Sequence, residues 1–219
     1  MERILEPELM DDPEQAHAYA HADFSEANGL FLKLFAHYFP RHTPKRAIDL
    51  GCGPGEITLS FAECYANCYI LGIDGAKAML HFAYQNLYSR PQLKDRVEFR
   101  HVRLPAHSLS RNYDTLLSNS LLHHLPDPQL LWHEIRRLGH AGAAVLVMDL
   151  ERPANPDEAQ ALVIRYAAQE PEILRRDFCN SLCAAFTANE IQAQLTQAGL
   201  VGFQVEKVSD RHLAIYGRL

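Results

Sequence analysis

The chain has 219 residues, 47% of them hydrophobic and 22% charged, with a formal net charge of −6. That length suits one domain with room for a core, and the acidic balance argues against a protein built to grip nucleic acid, which presents a basic face. No apolar run approaches the roughly 20 residues a membrane helix needs, and the acidic N-terminus (Glu2, Glu6, Glu8, Asp11, Asp12) is opposite to a secretory or transit signal, so a soluble cytoplasmic protein is expected.

Residues 1–12 read as poorly structured. Asp12-Pro13-Glu14 then supplies an N-cap, a proline at the first helical position and an acid in the first turn, predicting a helix over 13–24. His17 and His21 share one face, read as solvated; Tyr19 and Asp23 lie on another. Asn28 and Gly29 are expected to break it before an apolar helix over 30–39. A buried strand follows at 47–50, then Gly51, Gly53 and Gly55 in alternate positions, then a helix over 56–65. Strand, tight glycine turn and helix form the first unit of a nucleotide-binding α/β sheet. Further strands are expected at 68–74, 97–102, 113–119 and 143–150, with a helix over 130–138 carrying Trp132. Residues 151–186 are longer than a connection requires. Thr187-Ala188-Asn189-Glu190 is a capping box for a helix through Ala198, closed by Gly199. Strands at 203–208 and 212–217 end the chain as an antiparallel hairpin at the sheet edge.

Charge selects the ligand of the glycine turn. A dinucleotide site uses G-x-G-x-x-G and holds pyrophosphate on the next helix N-terminus. Here the third glycine comes one position early, Glu56 stands where that pattern wants glycine, and Asp49 adds a second carboxylate. Two negative charges repel a phosphate and attract a cation. This disfavours a nicotinamide dinucleotide and suits S-adenosylmethionine, a phosphate-free adenosine bearing a sulfonium and an ammonium. Asp74 ends the second strand 23 residues past Gly51, near the spacing at which an acid receives ribose hydroxyls.

Asp49-Leu50-Gly51-Cys52-Gly53-Pro54-Gly55 closely resembles motif I of the class I S-adenosylmethionine-dependent methyltransferases. Asp74-Gly75-Ala76-Lys77-Ala78-Met79-Leu80 resembles that family's D-x-S-x-x-M-L run, with Ala76 in place of serine. The segment from Tyr113-Asp114 through Leu122-His123-His124-Leu125-Pro126-Asp127-Pro128 resembles its y-D-x-x-x-S…L-H-H-L-x-D-P element. The resemblance implies a Rossmann-like, seven-stranded, mostly parallel sheet with an antiparallel last strand and helices on both faces. It implies cofactor contacts from Asp49, Gly51, Cys52, Gly53, Asp74, Gly75, Asn119 and Ser120, with Met79 on the adenine. The family's acid after the third strand is missing, so adenine recognition falls to backbone around Val102, Arg103 and Leu104. A single domain is expected, with an N-terminal helical cap (1–45), a cofactor-binding core (46–150), a lid or acceptor insertion (151–186) and a C-terminal helix and hairpin (187–219).

Methyl transfer from a sulfonium is an in-line displacement that orientation alone can accelerate, by roughly 7–11 kcal/mol. A general base is needed only for a protonated nucleophile, and His123 and His124 are the side chains near the fourth strand that titrate near neutrality. Tyr19 and His124 are the catalytic candidates. Tyr19, Asp23, His124, Arg175, Arg176 and Phe178 are expected to line an acceptor pocket beneath the two covering segments, with at most one arginine facing inward. An arginine there suits a carboxylate or phosphate on the acceptor. A small-molecule acceptor is expected. The N-P-P-Y-type signature of amino-group methylation is absent; an RNA- or protein-modifying enzyme of the same fold and a non-catalytic cofactor-binding module stay open. Five cysteines are read as reduced, buried small residues, and no metal is expected, CxxxC spacing being uncommon for zinc.

Overall fold

Apolar runs of five to seven residues, alternating between two faces, build the centre of the molecule. The computed structural model describes residues 1–6 and 9–219; Glu8, counted above with the acidic N-terminus, lies outside them. Among the described residues one sheet holds β1 (Arg46–Leu50), β2 (Tyr69–Asp74), β3 (Val97–His101), β4 (Tyr113–Asn119), β5 (Gly139–Leu150), β6 (Gln204–Lys207) and β7 (His212–Arg218), in the order β3-β2-β1-β4-β5-β7-β6. β1 to β5 are parallel and β7 runs antiparallel to both β5 and β6. The last strand is therefore inserted, and only β6 is the edge that the sequence assigned to a hairpin.

Both faces of the sheet are buried, as parallel strands require. On one face Ile48, Leu50, Leu116, Val145 and Val147 pack with Trp132 and Ile135 of α5 (Gln129–Leu138) and Ile191 and Leu195 of α8 (Ala188–Gln197). On the other, Ala47, Ile70, Leu117 and Leu146 meet α2 (Ser25–Tyr38), α3 (Glu56–Cys64) and α4 (Lys77–Tyr88). The Thr187/Glu190 capping box is formed at the start of α8.

β1 has neighbours on both sides, β2 and β4, and the strand order reverses there. Open α/β sheets bind ligands outside the carboxyl ends of the strands at such a switch point. Asp49, Asp74 and Asn119 all fall at those ends.

The N-terminal region departs from expectation. α1 spans Pro13–His21, shorter than predicted, and α2 begins at Ser25, so Asn28 and Gly29 lie inside a helix. The break falls at 22–24 because the Asp23 carboxylate accepts from the Ser25 N–H, and burial of Phe31 and Phe35 outweighs the roughly 1 kcal/mol cost of a helical glycine. The described residues ahead of α1 have no regular secondary structure but are not loose. Arg3 donates to the carbonyls of Ala184, His123 and Leu125 and lies 3.9 Å over the Phe186 ring. The Ile4 N–H donates to Cys183 O at 3.0 Å. Single long-range bonds, which carry no periodicity, hold this arm.

The segment after β5 folds as α6 (Pro156–Ala167) and α7 (Glu172–Ala184), packed on each other. α7 also touches α1 and the turn 122–124. The cysteines are free; Cys52 and Cys68 are buried, whereas Cys64 is exposed, since α3 ends at that residue.

Candidate active site

The turn after β1 is built by backbone geometry. Gly51, Gly53 and Gly55 all have positive φ, which only glycine adopts without strain. The N–H groups of Gly51 and Cys52 donate to Ile73 O at the end of β2, tying the turn to the neighbouring strand. A Cβ at Gly55 would lie 2.5 Å from the Phe99 ring, whereas one at Gly53 would meet nothing within 4 Å. Gly53 thus leaves open space in front of the turn.

Two carboxylates flank that space. Asp49 is buried and accepts from the Thr58 hydroxyl at 2.5 Å; burial pushes its pKa up to about 7, with Thr58 opposing and Asp74 adding to the rise. Asp74 accepts from the Gly53 N–H at 2.8 Å and the Ala76 N–H at 2.7 Å, one on each oxygen. Each oxygen keeps a further lone pair for a ligand hydroxyl. Glu56 corrects the charge argument drawn from the sequence. From the start of α3 it pairs at 2.9 Å with Arg90, which follows α4, so its charge is matched by a cation.

The third strand supplies less than expected. The Val102 N–H donates to Asp74 O at 3.0 Å and is not available to an adenine, which leaves backbone at Arg103 and Leu104. Leu9 of the arm and Arg103 both lie where a Cβ at Gly75 would point. Met79 is buried against Ala16, Ala76, Met10 and Tyr19, so α1 roofs the first turn of α4. Ala76, at the N-cap of α4, offers no side-chain cap. Asp11 of the arm accepts from the Ala78 N–H at 3.0 Å and fills that role from a distance. Tyr19 packs on Phe24 at 4.6 Å. Burial, then the Asp74 and Asp149 carboxylates, push its hydroxyl up to about 12.

The ends of β4 and β5 form the other half. Asn119 closes β4 with its Oδ1 buried and unpaired, and Ser120 takes φ 54, a strained turn that directs the chain into 122–124. His123 is buried, its Nδ1 2.5 Å from Asp149 Oδ1. Burial works against its positive form, but Asp149 and Glu6 outweigh it and the pKa rises; Asp149 falls correspondingly although burial acts the other way. Asp149 also accepts from the Leu122 and Leu150 N–H groups, each at 2.7 Å. Glu6 reaches in from the arm, with Oε1 3.4 Å from both His123 Nε2 and His124 Nδ1.

A cleft of about 250 Å³ opens here between the arm, α1, α7 and the 122–124 turn, lined by Glu6, Gln15, His124, Arg176, Asp177 and Asn180 among others. Arg176 borders it and Arg175 is exposed elsewhere. Gln15 donates to Asp177 at 2.7 Å, joining α1 to α7. Tyr19, Asp23 and Phe178 are not among the lining residues: Tyr19 packs over Met79, Asp23 is exposed just before α2, and Phe178 packs on the core under α6. A larger concavity of about 580 Å³, lined by Arg111, Arg136 and Leu219, lies at the opposite edge of the sheet beside the start of β5.

Asp11, Glu6, Arg3 and Asp149 escaped the sequence reading. An acid in the otherwise apolar Val147-Met148-Asp149-Leu150 was the available signal for Asp149; the missing serine at 76 was the signal for Asp11.

The residues present fit S-adenosylmethionine in kind. Open space at Gly53, a carboxylate on either side and an unpaired Asn119 oxygen can meet its hydroxyls and positive groups. Residues 42–199 match a family model described as Methyltransferase domain. Trans-aconitate 2-methyltransferase of Deinococcus radiodurans is 31% identical over 74% of this chain and 56% of its own length. 27-O-demethylrifamycin SV methyltransferase of Amycolatopsis mediterranei is 27% identical over 86% and 65%. The chain thus spans about half to two thirds of the length of these relatives. In fold it is similar to a plantazolicin methyltransferase solved with SAH (TM-score 0.73, 15% identity, 94% of this chain and 91% of that one). A SAM-dependent methyltransferase from Aquifex aeolicus matches with TM-score 0.67, 16% identity, and 94% and 97% coverage. With motif, strand order and family model in agreement, the chain belongs to the class I S-adenosylmethionine-dependent methyltransferases.

Proposed function

We propose that this protein transfers a methyl group from S-adenosylmethionine to an oxygen of a small acceptor bearing a carboxylate, bound in the cleft between the arm, α1 and α7. The cofactor supplies a sulfonium-bound methyl: the acceptor-oxygen-to-carbon bond forms as the carbon–sulfur bond breaks, and that electron pair stays on sulfur. Asp74 would hold the ribose hydroxyls. Asp49 would face the positive methionine end, and Asn119 and Ser120 would border the reacting end. Met79 under Tyr19 would cover the adenine, with backbone at Arg103 and Leu104 beside it.

The observation that carries the acceptor reading is the cleft itself. It is of small-molecule size, lies at the carboxyl ends of β4 and β5, and carries Arg176 on its rim. A carboxylate is already ionised at neutral pH, so no general base is required and catalysis can rest on holding it in line. Tyr19 and His124 would then act by position. Several of the relatives are named for methylation of trans-aconitate, a polycarboxylate, which supports this class of acceptor. α1 and residues 151–186 would serve as lids, excluding water once both ligands are in place. A cytoplasmic setting and a single-domain organisation are part of the same reading.

The test is to supply the protein and methyl-labelled cofactor to a small-molecule extract. Label in low-mass products that is released as methanol by mild base is the expected result, since methyl esters hydrolyse. Label in the RNA or protein fraction, or base-stable label, would overturn it.

A further inference from the structure

We propose that Glu6, His123 and His124 form a binding site for a divalent metal ion of the zinc type beside the acceptor cleft. Their donor atoms all lie within 4.8 Å of one another. His123 Nε2 and His124 Nδ1 are each 3.4 Å from the same oxygen, Glu6 Oε1. That oxygen is buried and accepts no hydrogen bond, while Ser181 holds the other carboxylate oxygen at 3.2 Å. The Glu6 side chain is 7% exposed, and those of His123 and His124 are 3% and 13%.

The spacing distinguishes a metal from a proton. A charged N–H to carboxylate bond contracts to about 2.7–2.9 Å, and both separations here are well beyond that. Ligands about 2.0–2.1 Å from a tetrahedral zinc lie about 3.3–3.4 Å apart, the spacing of both Glu6–histidine pairs. Asp149 completes the pattern. By accepting from Nδ1 of His123 it directs the Nε2 lone pair at Glu6, as carboxylates orient histidines on metals. Arg3 is the nearby cation, but it donates to three backbone carbonyls and its guanidinium covers Phe186.

Three protein donors leave one tetrahedral position, the arrangement of zinc sites that act on a ligand. Glu6 and His124 both line the cleft, so that position would take an acceptor oxygen, carboxylate or hydroxyl. This last step rests on the proposed acceptor; the metal site itself does not.

The experiment therefore uses metal alone. Full-length chain stripped with a chelator is titrated calorimetrically with zinc chloride, and cobalt(II) is added in parallel to read the coordination from its visible spectrum. Twelve histidines invite surface binding, and His17 and His21, stacked at 4.1 Å on exposed α1, are the obvious competitor, so every variant carries His17→Ala and His21→Ala. One equivalent of zinc and an intense four-coordinate cobalt band are expected. Glu6→Gln and His124→Ala should each weaken zinc by about 10-fold or more. Glu6→Gln is isosteric, which keeps the test valid should His124→Ala not fold. Absence of the single equivalent, or unchanged affinity in Glu6→Gln, would overturn the site whether or not methyl transfer is found.

Discussion

The two halves of the carboxyl edge are built in opposite ways. At the ends of β1 and β2, the glycine turn is joined to the next strand by its own backbone N–H groups: Gly51 and Cys52 donate to the Ile73 carbonyl, and Gly53 to the Asp74 carboxylate. At the ends of β4 and β5, the contacts run between distant side chains: Glu6 against His123 and His124, Asp149 to His123, Gln15 to Asp177. The cofactor half is a property of one strand–turn–helix unit. The half proposed to take the acceptor exists only when the arm, α1 and α7 are all seated. One fold can thus keep its cofactor chemistry while the acceptor side varies.

The largest effects should come from breaking either half at its buried charges or its tightest turn. Asp149→Ala leaves His123 buried without its partner and strands two N–H groups, and should cost about 3–5 kcal/mol of stability in urea denaturation. Gly55→Ala places a Cβ against Phe99 at φ +83. Strain and overpacking together should cost about 2–4 kcal/mol by the same measurement. A loss under about 1 kcal/mol in both would mean the edge is held by other contacts.

An intermediate effect separates the halves. Asp74→Ala should weaken cofactor binding by about 1.5–3 kcal/mol in calorimetry and leave the 122–124 network intact.

Asp49 gives a pH signature. Its folded pKa of about 7 lies above the ordinary aspartate value of about 3.9, so its contribution to stability is present at low pH and is lost as pH rises through 7. A cationic ligand favours the carboxylate, so cofactor affinity should rise over the same interval with release of a proton. Titrations in buffers of different ionisation enthalpy measure that proton, and Asp49→Asn should abolish it.

The smallest effect concerns the arm. Asp11→Ala removes a cap from α4 that the chain supplies from a distance, and should cost about 1 kcal/mol of stability. An unchanged melting temperature would show that α4 does not need it.

This division also explains what could be read from the residues. β4 matches its expected span, 113–119, because its apolar run is bounded by turn residues. The glycine turn and Asp74 were legible because their partners lie within one βαβ unit. α2 was misplaced because Asn28-Gly29 is a local signal that Phe31 and Phe35 override through burial in the core. The arm was invisible: Arg3, Glu6 and Asp11 act singly, on residues 67 to 181 positions away, and pattern reading has no access to such pairs. Tyr19, Asp23 and Phe178 were assigned to the cleft as polar or aromatic residues of the two covering segments, but Tyr19 packs over Met79, helix phase turned Phe178 to α6, and the Ser25 N–H claimed the Asp23 carboxylate.

The division of labour at this edge is tested most directly by steady-state kinetics with the identified acceptor, comparing Arg176→Ala with Asp74→Ala. Arg176→Ala should raise the acceptor KM by about tenfold, or about 1.4 kcal/mol, and leave the KM for S-adenosylmethionine unchanged, while Asp74→Ala does the reverse. An Arg176→Ala enzyme that loses cofactor and acceptor affinity equally, or neither, would contradict an acceptor site between the arm, α1 and α7.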